Sequence, residues 1–374
     1  FRSMVVKRPG LTSSATNTVG QGQGIYYFID SIYAISGGVL TRNKSGVITT
    51  YALAADSLVY DFSSSSLSNL LVFKSSANMY VFNPATATLT HVTSANYPTT
   101  TVRGLVYLDG YFVVAEANGK IWNSALEDAT TWAALDYTSA EIEPDAIVAI
   151  NKCLNNIVVL GVQTTEFFYD AANPVGSPFS SLSNAFSEIG CSSADSVIRT
   201  GNQLIWISRN LQRGRQITLL NGFTPEVIST PEIELILNAD DLSAVYSYII
   251  KVSGGYFYIL TLENTNLSLV YDLTLKQWWN ASSMHFGAST YPTTITSLGM
   301  GTVTFNIPAH GLSAGDSVSL AGVIPTTGSI SYPITYIDAN NFSIFYTGVM
   351  NPIVPQATTR SEEHTSELQS RHNL

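Results

Sequence analysis

The sequence predicts an all-β protein: a β-propeller of six or seven blades, probed near its end by an inserted small β-barrel-like module. Three observations carry that expectation. Only 12% of the 374 residues are charged, while Tyr and Phe number 20 and 16, a composition that suits short strands on a rigid body better than amphipathic helices. Paired apolar runs joined by tight-turn residues recur along most of the chain. The turns recur at a mean spacing of about 45 residues, the length of a four-stranded propeller blade.

In chain order, IYYFIDSIYAIS turns at Asp30-Ser31, and NLLVFKSSANMYVFN turns between Ser75 and Asn78. LVYLDGYFVVAEANGKIW (Leu105 to Trp122) holds three apolar runs separated by Asp109-Gly110 and Asn118-Gly119-Lys120. Such pairs accept the positive φ of a tight hairpin turn, so this stretch reads as three antiparallel strands. AIVAINKCLNNIVVLG turns at Asn155-Asn156, SVIRTGNQLIWIS at Gly201-Asn202, and YSYIIKVSGGYFYIL at Gly254-Gly255. LSLVYDLTLKQWWN carries the last unit into further strands. A β-sandwich would run to about 100 residues without such a repeat. A solenoid fits the clustered Gly turns and aromatic strand ends less well than blades do.

The propeller is expected over residues 1–295. Near Thr296 the rhythm breaks, and GTVTFNIPAHGLSAGDSVSLAG with YPITYIDANNFSIFYTG has the turn density of a compact barrel. A small inserted β module is therefore expected over 296–350. Residues 351–374 read as a linker that passes, at 360–374, into RSEEHTSELQSRHNL. That tail looks like the in-frame translation of a sequencing adapter and is set aside from fold reasoning. On this reading the natural chain continues past about Thr359, Phe1 need not be its start, and a blade or closing strand lies outside the sequence.

The formal net charge of −10 disfavours general nucleic-acid binding, because an acidic chain is repelled by phosphates. One basic cluster stands out, Arg209, Arg213 and Arg215 in SRNLQRGRQI, a pattern more often a solvated loop or a carboxylate partner than a phosphate clamp. No apolar run approaches the ~20 residues of a bilayer span, and the N-terminus lacks signal-peptide order. Cys153 and Cys191 make no disulfide framework.

Candidate chemistry is thin. His91, His285 and His310 fall at no metal-ligand spacing, and His364 and His372 lie in the tail. Cys191 in EIGCSSADS has no neighbouring cation in sequence to lower its pKa. Glu141, Glu143 and Asp145 in SAEIEPDAI raise a glycosidase question, since alternation along a strand puts both glutamates on one face. A solvated edge or a turn before Pro144 is the plainer reading. SALEDATTW (Ser124 to Trp132) resembles the structural Asp-box of sialidase-type propellers, without its Gly and with Asp128 one residue too close to Trp132. Trp122, Trp132, Trp206, Trp278 and Trp279 could stack sugars, although tryptophan at propeller strand ends more often packs between blades. Sequons at Asn43, Asn266, Asn280 and Asn341 carry no weight without a secretory signal. No catalytic, cofactor-binding or metal-ligating residue is assigned, and no cofactor is expected.

Several segments, in family order, resemble the packaged-DNA stabilisation or tail-hub (head-to-tail accessory) proteins of short-tailed bacteriophages. They are VKRPGL (Val6 to Leu11), LVYLDGYFVVAEANGKIWNSALEDATTWAALDYTSAE (Leu105 to Glu141), PDAIVAI, TTEFFYD ending at Asp170, AFSEIGCSSADSVIRTGNQLIWISRN, LLNGFTPEVISTPEIE and LVYDLTLKQWW. The resemblance implies a β-propeller and a mechanical, non-enzymatic role in the virion tail of a phage, the protein being made in the bacterial host cytoplasm. Copies would assemble in a ring below the portal after DNA packaging, close the exit channel, and connect the portal to a plug or spike. Implied partners are the phage portal protein, sister copies, and a tail plug or tailspike protein, with no sequence-specific nucleic-acid binding and no membrane. The module after Thr296 and the segment ahead of VKRPGL depart from the family pattern. The alternative is a carbohydrate-binding or glycoside-hydrolysing propeller, such as a host-recognition adhesin; a plainer one is an adaptor with a peptide partner.

Overall fold

The computed structural model describes residues 22–143, 145–210, 214–252, 254–265, 267–281, 294–299, 301–306, 317–319, 331–338 and 340–346. Among them, residues 22–281 form six successive antiparallel sheets whose strands pair in chain order, the six-blade arrangement of a β-propeller. Blade 1 comprises Gly22–Phe28, Ser31–Ser36, Val39–Lys44 and Val47–Ala52; blade 2 comprises Asp61–Ser64, Leu71–Lys74, Met79–Asn83 and Thr88–His91. Blade 3 runs through Val106–Leu108, Tyr111–Ala115, Lys120–Ala125 and Asp128–Ser139. Blade 4 runs through Ile147–Cys153, Asn156–Gly161, Thr165–Asp170 and Phe179–Ser187. In blade 5 the first strand is split into Gly190–Cys191 and Ile198–Thr200, followed by Gln203–Asn210, Gly214–Asn221 and Thr224–Val227. Blade 6 holds Val245–Val252, Gly255–Leu262, Leu267–Asp272 and Gln277–Ala281. The first strands of neighbouring blades from 1 to 6 contact one another, so they form the inner wall of the ring.

The hairpins that begin five of these blades form within one residue of where the sequence placed them, because their turn residues reach positive φ. Asp109 and Gly110 sit at φ 49° and 94°, Gly201 at 56° and Gly254 at 88°. Three turns fall one residue earlier than expected: those on Ile29 (φ 57°) and Leu154 (φ 55°), and the blade 6 turn, where Gly255 already pairs with Val252. The Ser75–Asn78 turn differs in kind: it joins the second and third strands of blade 2. The first hairpin of that blade is the longer loop from Ser65 to Leu70, closed by the Ser65 N–H donating to Leu70 O and by Ser65 Oγ accepting from the Ser68 N–H. That loop holds no glycine to announce it.

Burial between blades holds the ring together. Tyr33, Ile35 and Leu40 of blade 1 pack on Leu71, Phe73 and Phe82 of blade 2. Val72, Met79 and Val81 on the opposite face of blade 2 meet Phe112, Val114 and Trp132 of blade 3. Equivalent layers join blades 3 and 4, 4 and 5, and 5 and 6. Strands covered on both faces need apolar residues at consecutive positions, and Leu71–Lys74 and Met79–Asn83 show this burial.

The chain divides into two compact units, Thr16–Ser283 and a second made of Phe1–Ala15 with Met284–Leu374. The described part of the second unit is a five-stranded antiparallel sheet in the order Thr294–Gly299, Gly301–Asn306, Asn341–Tyr346, Ser331–Asp338, Ser317–Ser319. Phe342 and Ile344 are buried in it. The expected linker and adapter-like tail, 351–374, lie outside the described residues.

Candidate functional site

At one end of the ring, four charged side chains from three segments converge. Asp61 opens the inner strand of blade 2 and pairs in register with Lys74, which ends the next strand. Arg103 lies in the link between blades 2 and 3, where it forms a parallel bridge to Ala149 of blade 4. The link passes so close to blade 4 that a Cβ on Gly104, at φ +102°, would sit 1.9 Å from the Ile150 carbonyl oxygen. Only glycine fits such an approach. Asp61 accepts from the Gly104 N–H at 2.7 Å, from Lys74 Nζ at 3.3 Å, and from Arg103 Nε at 3.0 Å. Lys74 also donates to Val102 O at 2.6 Å. The far side of the Arg103 guanidinium pairs with Asp195, in the 3-10 turn Ala194–Ser196 of blade 5.

Blades 2 and 5 stand half a turn apart in a ring of six. The Arg103 guanidinium, tied to carboxylates on both, therefore links two blades that are not neighbours. Burial alone raises the Asp61 carboxyl, but Lys74, Arg103 and the Gly104 N–H outweigh it and hold its pKa below the ordinary carboxylate range. Burial pulls the Lys74 ammonium down, and Asp61 restores part of the loss. Two cations and two carboxylates neutralise one another, with their donors and acceptors engaged. The cluster is a clamp, and it presents no nucleophile.

The sequence-derived candidates fall elsewhere. Glu141 and Glu143 are exposed and lie beyond the last residue of the Asp128–Ser139 strand, in a bend rather than on one strand face. Asp145 is occupied by the Thr164 N–H at 3.0 Å and the Thr164 hydroxyl at 3.1 Å. The buried carboxylate of that region is Glu166: one oxygen accepts from the Ile142 N–H at 3.1 Å, the other has no partner, and burial raises its pKa. Cys153 and Cys191 are buried free thiols, Cys191 being pushed up to about 12 by burial. In SALEDATTW, Asp128 accepts from the Thr130 N–H and hydroxyl and from the Thr131 hydroxyl, just after the turn that starts the last strand of blade 3. Its part is structural.

Trp132, Trp206 and Trp278 give their indole N–H groups to the carbonyls of Ala129, Gly190 and Ile228, and pack in or against the inter-blade layers. His91 stacks on Tyr80; His285, His310 and Arg213 lie outside the described residues. Among the described residues no group of three His, Cys, Asp or Glu is placed to hold a metal, and no helix is long and apolar enough to cross a membrane. Sequence reasoning passed over Asp61, Lys74, Arg103 and Asp195. The one visible signal was Lys74, a lone charge at the end of the apolar run LLVFK.

Beside this cluster, a cavity of about 530 Å³ opens between blades 4 and 5, lined by Val148, Val162 and Cys191 and by Arg209, Arg215 and Asn238, among others. Arg215 donates to the carbonyls of Leu237 (2.9 Å) and Asp240 at the end of the helix Pro231–Ala239.

The model of the Phage_stabilise family, described as Bacteriophage P22 Gp10, beta-propeller, matches residues 2–303. No curated protein matches the chain. Among solved structures, the computationally designed Ika8 protein is 11% identical, with 87% of this chain and 96% of that one covered at a TM-score of 0.45. The extracellular domain of BT4673 from B. thetaiotaomicron is 10% identical, with 90% and 54% covered at 0.47. The N-terminal domain of Nup159 is 9% identical, with 78% and 87% covered at 0.43. At these TM-scores the likenesses bear on neither fold nor function.

Proposed function

Because the chain belongs to the bacteriophage P22 Gp10 β-propeller family, matched over residues 2–303, and is thus a structural component of a phage virion, we propose that it is a non-enzymatic tail-hub protein. Copies assemble as a ring below the portal after DNA packaging. The ring holds the packaged DNA by closing the exit channel and links the portal to the plug or spike. The family match is the observation that carries this reading. The Asp61–Lys74–Arg103–Asp195 clamp is compatible with it: a guanidinium ties blade 2 to blade 5 within each copy, and on this reading the channel that the ring controls runs between copies. A net charge of −10 suits a wall along which DNA slides without being gripped. Many repeated contacts in a symmetric ring resist pressure with a modest interface per copy.

The test mixes the purified protein with the portal protein of the same phage and measures mass by size exclusion with light scattering. A stoichiometric ring complex is expected. A chain that stays monomeric beside an intact portal ring sinks the assignment. The glycan-binding alternative gains no support from Trp132, Trp206 and Trp278, whose indole N–H groups are spent on backbone carbonyls.

A further inference from the structure

We propose that the cavity between blades 4 and 5 binds a carboxylate: an acidic side chain flanked by apolar residues, presented by an extended segment of another virion protein. The proposal rests on the reading that this chain works by docking such proteins.

Arg209 and Arg215 are register partners on neighbouring antiparallel strands. Side chains directly opposed in this way stand about 5 Å apart at Cβ, and like charges there repel. No ion pair relieves them among the described residues. Arg215 is held by the neutral carbonyls of Leu237 and Asp240, which orient its guanidinium, and the exposed Asp241 carboxylate next in sequence offsets its charge only in part. Arg209 is exposed and makes no hydrogen bond or ion pair with a described residue. No carboxylate lines the cavity, and the Cys191 thiol on its wall stays protonated at neutral pH. Two cations therefore share a cavity whose described lining holds no carboxylate, and Arg209 has no anionic partner among the described residues.

The rest of the lining selects the class of anion. Val148, Val162 and Cys191 add apolar groups to the lining, and about 530 Å³ lies within the roughly 300–1,000 Å³ of ordinary ligand sites. Neighbouring links at this end carry Glu141, Glu143 and Asp145 ahead of blade 4 and Asp241 ahead of blade 6. They repel a polyanion such as DNA while leaving room for one carboxylate between apolar flanks. Two guanidinium forks suit a carboxylate's paired oxygens.

The test follows arginine Nε–H resonances of the whole chain by NMR during titration with the peptide acetyl-Val-Glu-Val-amide, its Gln counterpart, and inorganic phosphate. Saturable shifts at Arg209 and Arg215 with the Glu peptide alone are expected. Arg209→Ala should weaken that binding ~10-fold or more, the scale of a charged hydrogen bond. Arg209→Lys should fall between, and Arg199→Ala, an exposed arginine at the blade 5 hairpin on the opposite end, should leave binding unchanged. Absence of saturable binding, binding that survives Arg209→Ala, or tighter binding of phosphate than of the peptide each overturns the proposal. Ring formation with the portal is scored separately. A failed titration beside an intact ring removes the cavity proposal alone, whereas a missing ring removes the reading beneath it.

Discussion

Blades 1 and 2 are written in similar residues and buried differently. In blade 2, Leu71–Lys74 is buried at every position, because Leu71 and Phe73 face blade 1 while Val72 faces blade 3. Among the described residues, blade 1 is covered on one face only. Tyr33, Ile35 and Leu40 pack toward blade 2, while the cross-strand row Tyr27, Ile32, Asn43, Ile48 faces the other way. In that row Tyr27 is 67% and Ile48 52% exposed, and Ile25 beside it is 72% exposed. Apolar content alone therefore did not decide burial; position in the ring did. The difference separates residues that hold the propeller together from residues that this chain alone leaves free.

Substitutions can break or sharpen that contrast. Phe73→Ala empties a fully buried site between blades 1 and 2 and should cost about 3–5 kcal/mol in chemical denaturation. A cost near that of a surface residue would mean that this packing is not what holds blade 2. Asp61→Ala leaves Lys74, which is 0% exposed, without its anion and Arg103 with Asp195 alone, for a loss of similar or slightly smaller size, about 3 kcal/mol.

Asp61 also predicts a pH signature. Its folded pKa is lowered, so the folded state binds fewer protons there. The stability it contributes is present above its ordinary value of 3.8 and is lost as pH falls through the lowered folded value. Asp61→Asn should remove that acid-side component from a stability-against-pH curve; an unchanged curve would contradict the clamp. Glu166 carries the opposite sign. Its folded pKa is raised, so its contribution is full below the ordinary 4.5 and is lost as pH rises through the raised value. Glu166→Gln should flatten that window and stabilise the neutral-pH protein by about 1 kcal/mol. The smallest effect is expected on the uncovered face of blade 1, where Tyr27→Ser should change monomer stability by no more than about 0.5 kcal/mol.

Much of the fold was legible because hairpin turns leave local marks. Asp109-Gly110 and Gly201-Asn202 name their turns by residue type, whereas the Ser65–Leu70 loop carries no such mark and its hairpin went unread. Glu141 and Glu143 were open to a strand reading because alternation is visible in sequence and a strand's end is not. Here the strand stops at Ser139, and the Ala140 N–H closes onto Gly119 O. The clamp was hidden for a different reason. Arg103 lies 42 residues from Asp61 and 92 from Asp195 in sequence, and only the arrangement of successive blades brings them together. Arg209 and Arg215 were visible as a basic cluster, but that they oppose one another across a ladder and that no ion pair holds Arg209 among the described residues needed the fold.

The central claim is a ring whose channel lies between copies. Cryo-electron microscopy of tails carrying this chain, with packaged DNA retained, tests it most directly. The account predicts propellers arranged around the tail axis, DNA density confined to that axis, and the Arg103 side chain tying blade 2 to blade 5 in every propeller. DNA density threading individual propellers, or a tail that contains no copy of this chain, would contradict it.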